Sequence, residues 1–144
     1  MALLSRKGVL AIAAVIDVAL SAQERPISAK SLAARHGLPP RHLESVLQAL
    51  VRDGILKGIR GPRGGYELAR ERRRVSVNDI LRAAGTVEEV EERPSHSELL
   101  NKVVLPALAT AEREFGVALS RINLDDMTRS AERLKARLGT AVSA

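Results

Sequence analysis

The sequence predicts a mainly α-helical chain with one small β-hairpin, in which short helices precede the hairpin and a long helix follows it. Three observations lead there. The 144 residues are 45% hydrophobic but only 1% aromatic, so the core must be built of Leu, Ile, Val and Ala, which suits packed helices. Apolar residues recur at helical spacing along most of the chain. One pair of short β-prone runs flanks a turn rich in glycine and proline. The length is that of one domain with enough apolar material for a real core.

Residues 8–22 read as a first helix, apolar nearly all round and therefore covered on most sides. Arg6 and Lys7 ahead of that run resemble the start of a secretory signal peptide. Asp17 interrupts the run, however, and Leu20 stands where cleavage after Ala22 would want a small residue. The run is also too short to span a bilayer. A buried first helix in a cytoplasmic chain with no membrane segment is the expectation.

Residues 23–27 form a loop, and Ser28 is a good N-cap for a second helix reaching about His36, with Leu32 and Ala33 as its apolar strip. Gly37 ends that helix. Pro39-Pro40 opens a third, because proline in the first turn forfeits no hydrogen bond. Leu43, Val46, Leu47, Leu50 and Val51 then give one apolar face, and Gly54 closes the helix. Two short helices separated by a few residues with a glycine, behind a third helix, make a helix-turn-helix. The exposed face of the third helix carries Arg41, His42, Glu44, Ser45 and Gln48, all able to hydrogen-bond base edges or phosphates.

Residues 55–59 and Tyr66-Glu67-Leu68 flank the string Arg60-Gly61-Pro62-Arg63-Gly64-Gly65, which predicts a hairpin. Directly after such a helix, a hairpin is a wing. Its glycines let backbone approach a phosphate closely, and an arginine at its tip can enter a narrow minor groove.

Beyond the basic stretch 70–74, Ser76 and Asp79 form an N-cap and its N3 partner for a helix to about Ala84. Residues 85–97 are polar, hold Glu88, Glu89, Glu91 and Glu92, and read as a mobile loop. A long helix follows from Glu98 to about Arg121, bent near its start by Pro106. Val104, Leu108, Ala111, Phe115, Ala118 and Ile122 recur along it at spacings of 4, 3, 4, 3 and 4, the pattern of a seam against another helix. The seam is longer than one small domain needs, which points to a homodimer. Asn123 can cap a last amphipathic helix to about Leu138, with a frayed tail. The expected organisation is a DNA-binding winged helix-turn-helix over residues 1–85, an acidic loop over 86–97, and over 98–144 a dimerisation helix and a C-terminal helix packing back on the domain.

Charge distribution indicates the partner. The net charge is +6, but residues 1–75 hold 14 Lys/Arg against 6 Asp/Glu, while residues 76–144 hold 9 against 11. A basic half beside a slightly acidic one is the footprint of a polyanion-binding module joined to something else. Tyr66 and Phe115 are the only aromatic residues, so stacking platforms for unpaired bases are lacking and double-stranded DNA is the better polyanion. The chain has no cysteine, which excludes disulfides, thiolate metal sites and thiol catalysis. It has no phosphate-loop string, no metalloprotease motif and no nucleophile elbow, so nothing indicates an enzyme.

With these residues in view, the chain resembles the Rrf-two (Rrf2) family of bacterial winged helix-turn-helix transcription regulators. The resemblance rests on Arg6-Lys7-Gly8, Asp17-Val18-Ala19, Leu43-Glu44 and above all the wing string Arg60 to Tyr66. Val77-Asn78-Asp79-Ile80 and Ile122-Asn123-Leu124-Asp125 extend it over most of the chain. It implies a homodimer with crossing long helices that reads a near-palindromic operator, as a repressor. It also implies that Ser28 contacts phosphate, that Arg41, His42, Glu44 and Ser45 face the major groove, and that Arg60 enters the minor groove. Arg63 stands where many members have another glycine and adds a phosphate contact. Sensing members carry cluster-binding cysteines in the loop after the fourth helix. This chain has none there, so no cofactor is expected.

Rival readings attach to the same residues. Arg60 and Arg63 can be a solvated hairpin tip. Glu44 accepts from cytosine N4 or pairs with Arg41 three residues before it. His36, His42 and His96 lack metal-ligand spacing, and the run from Glu88 to Glu92 reads as a solvated loop. Gly58-Ile59-Arg60-Gly61 fits the G-x-x-G of a KH RNA-binding module, but that loop needs a helix on either side. A winged-helix adaptor that binds proteins and not DNA would lack salt-dependent duplex binding. A pocket between the long helix and the winged domain could hold a small-molecule effector.

Overall fold

The protein is described from a computed structural model, which covers residues 5–21, 26–37, 39–85 and 97–143, with the side chains of residues 40, 42 and 140–143 outside the description. Residues 86–96 of the expected acidic loop, His96 among them, therefore lie outside the described residues.

Ser5 opens α1 (Arg6–Leu20), its Oγ accepting from the Gly8 N–H at 3.1 Å and satisfying one of the free donors of a helix start. Ala11, Ala14, Val15 and Val18 are buried in the core, whereas Val9 is 51% exposed. The first helix is thus covered along one broad side and not nearly all round as its composition suggested. α2 (Ala29–Arg35) and α3 (Pro40–Arg52) follow, with Pro40 in the first turn of α3. Leu32 and Ala33 join Leu43, Val46, Leu47 and Leu50 in one cluster. Burying each such leucine is worth about 1.5–3 kcal/mol. Val51 lies at the margin of the stripe and is partly exposed, so the predicted five-residue face is four residues wide in burial.

The hairpin pairs β1 (Leu56–Ile59) with β2 (Gly65–Leu68), antiparallel, in the register Leu56 to Leu68 through Ile59 to Gly65. Ile55 and Leu56 are buried at its base and Ile59 is exposed near its tip, so burial anchors one end and leaves the other in solvent. Ile27 adds a single bridge on the far side of β2, donating to the Tyr66 carbonyl at 3.2 Å and accepting from the Tyr66 N–H at 2.8 Å.

A single 3₁₀ turn (Arg72–Arg74) leads into α4 (Val77–Ala83). The capping box is present in both directions: Asp79 N–H donates to Ser76 Oγ and Ser76 N–H to Asp79 Oδ2. A π-helical turn (Leu100–Val104) runs directly into α5 (Leu105–Ser120). Pro106 accounts for it, since proline has no N–H to give and its ring crowds the carbonyl four residues back. The wide turn lies where the sequence led us to expect a bend.

α6 (Leu124–Ser143) continues past Leu138, where the sequence suggested fraying. Asn123 caps it, Oδ1 accepting from Asp125 N–H at 2.7 Å, while its Nδ2 donates to the Arg73 carbonyl. Backbone bonds from Val77 N–H to Ile122 O and from Leu124 N–H to Val75 O bind this corner to the base of α4. α6 then lies against α1 and the 3₁₀ turn. Arg72 donates to Asp125 and to Glu132, and Arg129 reaches the other Asp125 oxygen at 2.7 Å. Burial alone would push the Asp125 carboxyl up, but the hydrogen bond from Arg72 and the charges of Arg129, Arg72 and Arg73 outweigh it and hold it below the usual carboxylate value. Burial likewise opposes the Arg72 charge, and its bonds to Glu132 and Asp125 leave the guanidinium held more firmly charged than usual.

Candidate nucleic-acid interface

The helical period sorts α3 into two faces. Leu43, Val46, Leu47 and Leu50 enter the core, and Arg41, Glu44, Ser45 and Gln48 are turned to solvent. Among the described residues no ion pair joins Arg41 to Glu44, so the intramolecular reading of that carboxylate finds no support in the geometry. His42 falls in the first turn of α3, and its side chain is outside the description. No side-chain cap closes the start of α3, and its first turn contains no acidic residue. That leaves backbone donors at this end of the helix unclaimed by its own cap.

The hairpin tip is a tight turn in which the Gly64 N–H donates to the Gly61 carbonyl at 2.9 Å with Pro62 in the second position. Glycine is required at position 64, because a Cβ there would run into the Ile59 carbonyl oxygen. Arg60 and Arg63 are exposed on this turn, and neither has an ion-pair partner among the described residues. Below the tip, Lys57 and Glu67 face each other across the strands at 3.6 Å.

Ser28 is the N-cap of α2, as expected. Its Oγ accepts from the Ser31 N–H at 3.1 Å and donates to Ser31 Oγ at 3.0 Å. Because Ile27 is bonded to Tyr66, the start of α2 is drawn to the wing. A cleft of about 470 Å3 opens between them, lined by Ser28, Ser31 and Arg35 on one side and Arg63 and Gly64 on the other. Two of the predicted contact residues, Ser28 and Arg63, are thereby brought together. The far end of α2 is tied to α1: His36 Nε2 donates to Asp17 Oδ2 at 2.6 Å, and Arg35 stands 3.6 Å from the other oxygen. Asp17, which interrupts an apolar run in the sequence, is the anchor of the second helix. Arg35 and Ser31 were not singled out by sequence, although they follow Ser28 at the spacing of one helix face.

The predicted seam residues run from the π-helical turn along α5 to just past its end, and their own chain covers them only in part. Val104 and Phe115 are half-buried, while Leu108, Ala111, Ala118 and Ile122 are exposed. α5 as a whole has no fully buried residue and lies against α4. Leu99, Leu100, Val103 and Leu105 extend the apolar surface around its start. Among the described residues no three His, Cys, Asp or Glu side chains gather as a metal site, and no helix is long and apolar enough to cross a membrane.

Residues 4–130 match the Rrf2 family, described as "Iron-dependent Transcriptional regulator". The chain is 36% identical over 80 residues to the HTH-type transcriptional regulator IscR of Xenorhabdus nematophila, a match covering 56% of this chain and 49% of that protein. It thus spans about half the length of that relative. It is 31% identical to a Synechocystis protein named as an HTH-type transcriptional regulator, over 97% of both chains. Among solved structures, IscR of T. potens superposes with a TM-score of 0.68 at 34% identity, covering 90% of this chain and 88% of that one. CymR, described as the global cysteine regulator of B. subtilis, superposes with a TM-score of 0.66 at 28% identity, covering 88% and 95%. A helix pair whose second member exposes a polar face, a basic wing beside it and these likenesses lead to one conclusion: the chain belongs to the Rrf2 family of winged-helix transcription regulators, which are not enzymes.

Proposed function

We propose that the chain is a cytoplasmic repressor that binds a near-palindromic operator in duplex DNA as a homodimer. The observation that carries this reading is the wing tip. Arg60 and Arg63 project from a glycine-shaped turn with no intramolecular partner among the described residues, and the wing is bonded through Tyr66 to the segment that opens the helix-turn-helix. A helix fits the major groove, which is about 12 Å wide, and in this motif the second helix occupies it. α3 then presents Arg41, His42, Glu44 and Ser45 to base edges. Glu44 would repel phosphate, so its place on such a face is best explained by accepting from cytosine N4. Arg60 enters the minor groove, and Ser28 and Arg63 hold phosphates. The exposed apolar surface of α5 is an aggregation liability on a single chain, and a second copy laid along the seam of Val104, Leu108, Ala111, Phe115, Ala118 and Ile122 would cover it.

The family description names iron, and the residues of this chain do not fit an iron–sulfur cluster. Cluster irons need thiolate ligands, and there is no cysteine to supply one. His36 is already bonded to Asp17. We therefore assign no cluster to this regulator.

Binding of genomic duplex fragments by the purified protein, followed by fluorescence anisotropy over a salt series, tests the reading. Affinity should fall steeply with salt, each neutralised phosphate adding about 0.9 to the log–log slope. Duplex binding that is absent at low salt, or indifferent to salt, would favour the protein-binding adaptor instead.

A further inference from the structure

We propose that Arg35, with Ser31, completes a seat for one backbone phosphodiester in the cleft between α2 and the wing tip. The inference rests on the DNA-binding reading and deepens it. Ser28, Ser31 and Arg35 lie at i, i+3 and i+7, one face of α2, and that face looks across the cleft at Arg63 and Gly64. The cleft therefore presents two guanidiniums and two hydroxyls, and among the described residues no carboxylate lines it. The two sides are held at a fixed separation, because the Ile27–Tyr66 bridge joins the start of α2 to the wing.

The location suits a phosphodiester for a geometric reason. With α3 in the major groove and the wing in the adjacent minor groove, the sugar–phosphate strand that separates the two grooves passes between α2 and the wing tip. The first helix of this motif crosses that backbone. Gly64 contributes no side-chain bulk there. Ser28 spends its single O–H on Ser31 Oγ, which leaves the Ser31 O–H to donate to a phosphate oxygen.

Arg35 is set in place and not fully engaged. Asp17 lies 3.6 Å from its guanidinium, while the same carboxylate takes a 2.6 Å hydrogen bond from His36. The long contact orients Arg35 by charge and leaves most of its five donors for a ligand. Its side chain is 46% exposed, so a phosphate can reach it without any rearrangement of the fold. Asp17 is a positioning residue in this arrangement.

Phosphate-ethylation interference on a bound operator duplex, with the full-length chain, reads the seat directly. In the wild type, ethylation of the phosphate seated in the cleft blocks binding. Arg35→Gln and Arg63→Gln should each become insensitive at that same position, and Arg35→Gln should lower the salt slope by about 0.9 per copy, about 1.8 for the homodimer. Arg35→Lys should restore the slope, since it returns the charge. Lys135→Gln, on the exposed side of α6, is the control and should keep the wild-type pattern. Far-ultraviolet circular dichroism separates loss of contact from loss of fold, and Ser31→Ala supplies a second variant that leaves the Asp17 pair intact and should weaken sensitivity at the same position. Inorganic phosphate added at constant ionic strength should leave binding unchanged; selective competition by it would make the cleft a pocket for the free anion and overturn the inference. An unaltered ethylation pattern in Arg35→Gln, or loss of a different phosphate from the one lost in Arg63→Gln, would also overturn it while leaving DNA binding itself standing. A wild type that binds no duplex would remove both readings.

Discussion

Ile27 and Tyr66 exchange two backbone hydrogen bonds, 2.8 and 3.2 Å long, across 39 residues of sequence. This pair joins the wing to the segment that starts the helix-turn-helix, and the geometry of the candidate interface depends on it. The approach is so close that a Cβ on Gly65 would fall within contact distance of the Ile27 carbonyl group and the Ser28 nitrogen.

Gly65→Ala should therefore destabilise the protein by about 1–3 kcal/mol, the usual range for an atom forced into packed structure. Gly58→Ala, in the partner strand with nothing within 4 Å of an added Cβ, should change stability by less than about 0.5 kcal/mol. Urea unfolding of the two variants makes the comparison. Equal effects would mean that the bridge does not constrain the wing.

How far the sequence disclosed this arrangement depends on how local each signal was. Ser28, Ser76 with Asp79, and Asn123 marked helix starts correctly, because a cap is formed by residues within one turn of one another. The α3 face was legible for the same reason, as was the hairpin around the glycine-rich string. The Ile27 bridge was not, since one residue pairing across 39 positions leaves no periodic trace. The Asp17–His36 bond was hidden likewise, and Asp17 looked like a flaw in an apolar helix until its partner was seen. Arg35 escaped notice because its relevance comes from the wing opposite it. The seam on α5 could be drawn from spacing, but spacing does not say which copy of the chain covers it.

Acid should reveal the clamp between the 3₁₀ turn and α6. Asp125 is held below the usual carboxylate value, so its charge is favoured in the folded state. That contribution is complete above the unfolded value and is lost as pH falls through the lower folded value. Asp125→Asn should be less stable than wild type at neutral pH, and the gap should close on the acid side of the ordinary carboxylate range. Urea unfolding at a series of pH values down to about 3 follows it. A gap that is constant with pH would assign the effect to packing alone.

Leu108 and Phe115 test the pairing of two chains. Replacing both with glutamate should give monomers by light scattering at micromolar concentration. Operator affinity should fall at least about 100-fold, because linked half-sites bind by effective concentration. Wild-type protein that is itself monomeric under those conditions would rule the seam out as a dimer interface.

Absence of cysteine makes a prediction about signalling. Operator binding should be unchanged by iron chelators, nitric oxide and thiol oxidants, and protein purified without air should be colourless. A visible absorption band accompanied by stoichiometric iron and sulfide would contradict the assignment.

Nuclease footprinting on a fragment recovered from the native genome tests the central claim most directly, that α3 and the wing of each of two copies read one duplex. The account predicts two protected half-sites of related, inverted sequence, with centres about 34–36 Å or a multiple apart on one face of the helix. It also predicts that Arg60→Ala loses discrimination in the A·T-rich flanks as well as affinity, whereas Arg63→Ala loses affinity alone. Protection that is uniform along the fragment, or a pattern that Arg60→Ala leaves untouched, would contradict it.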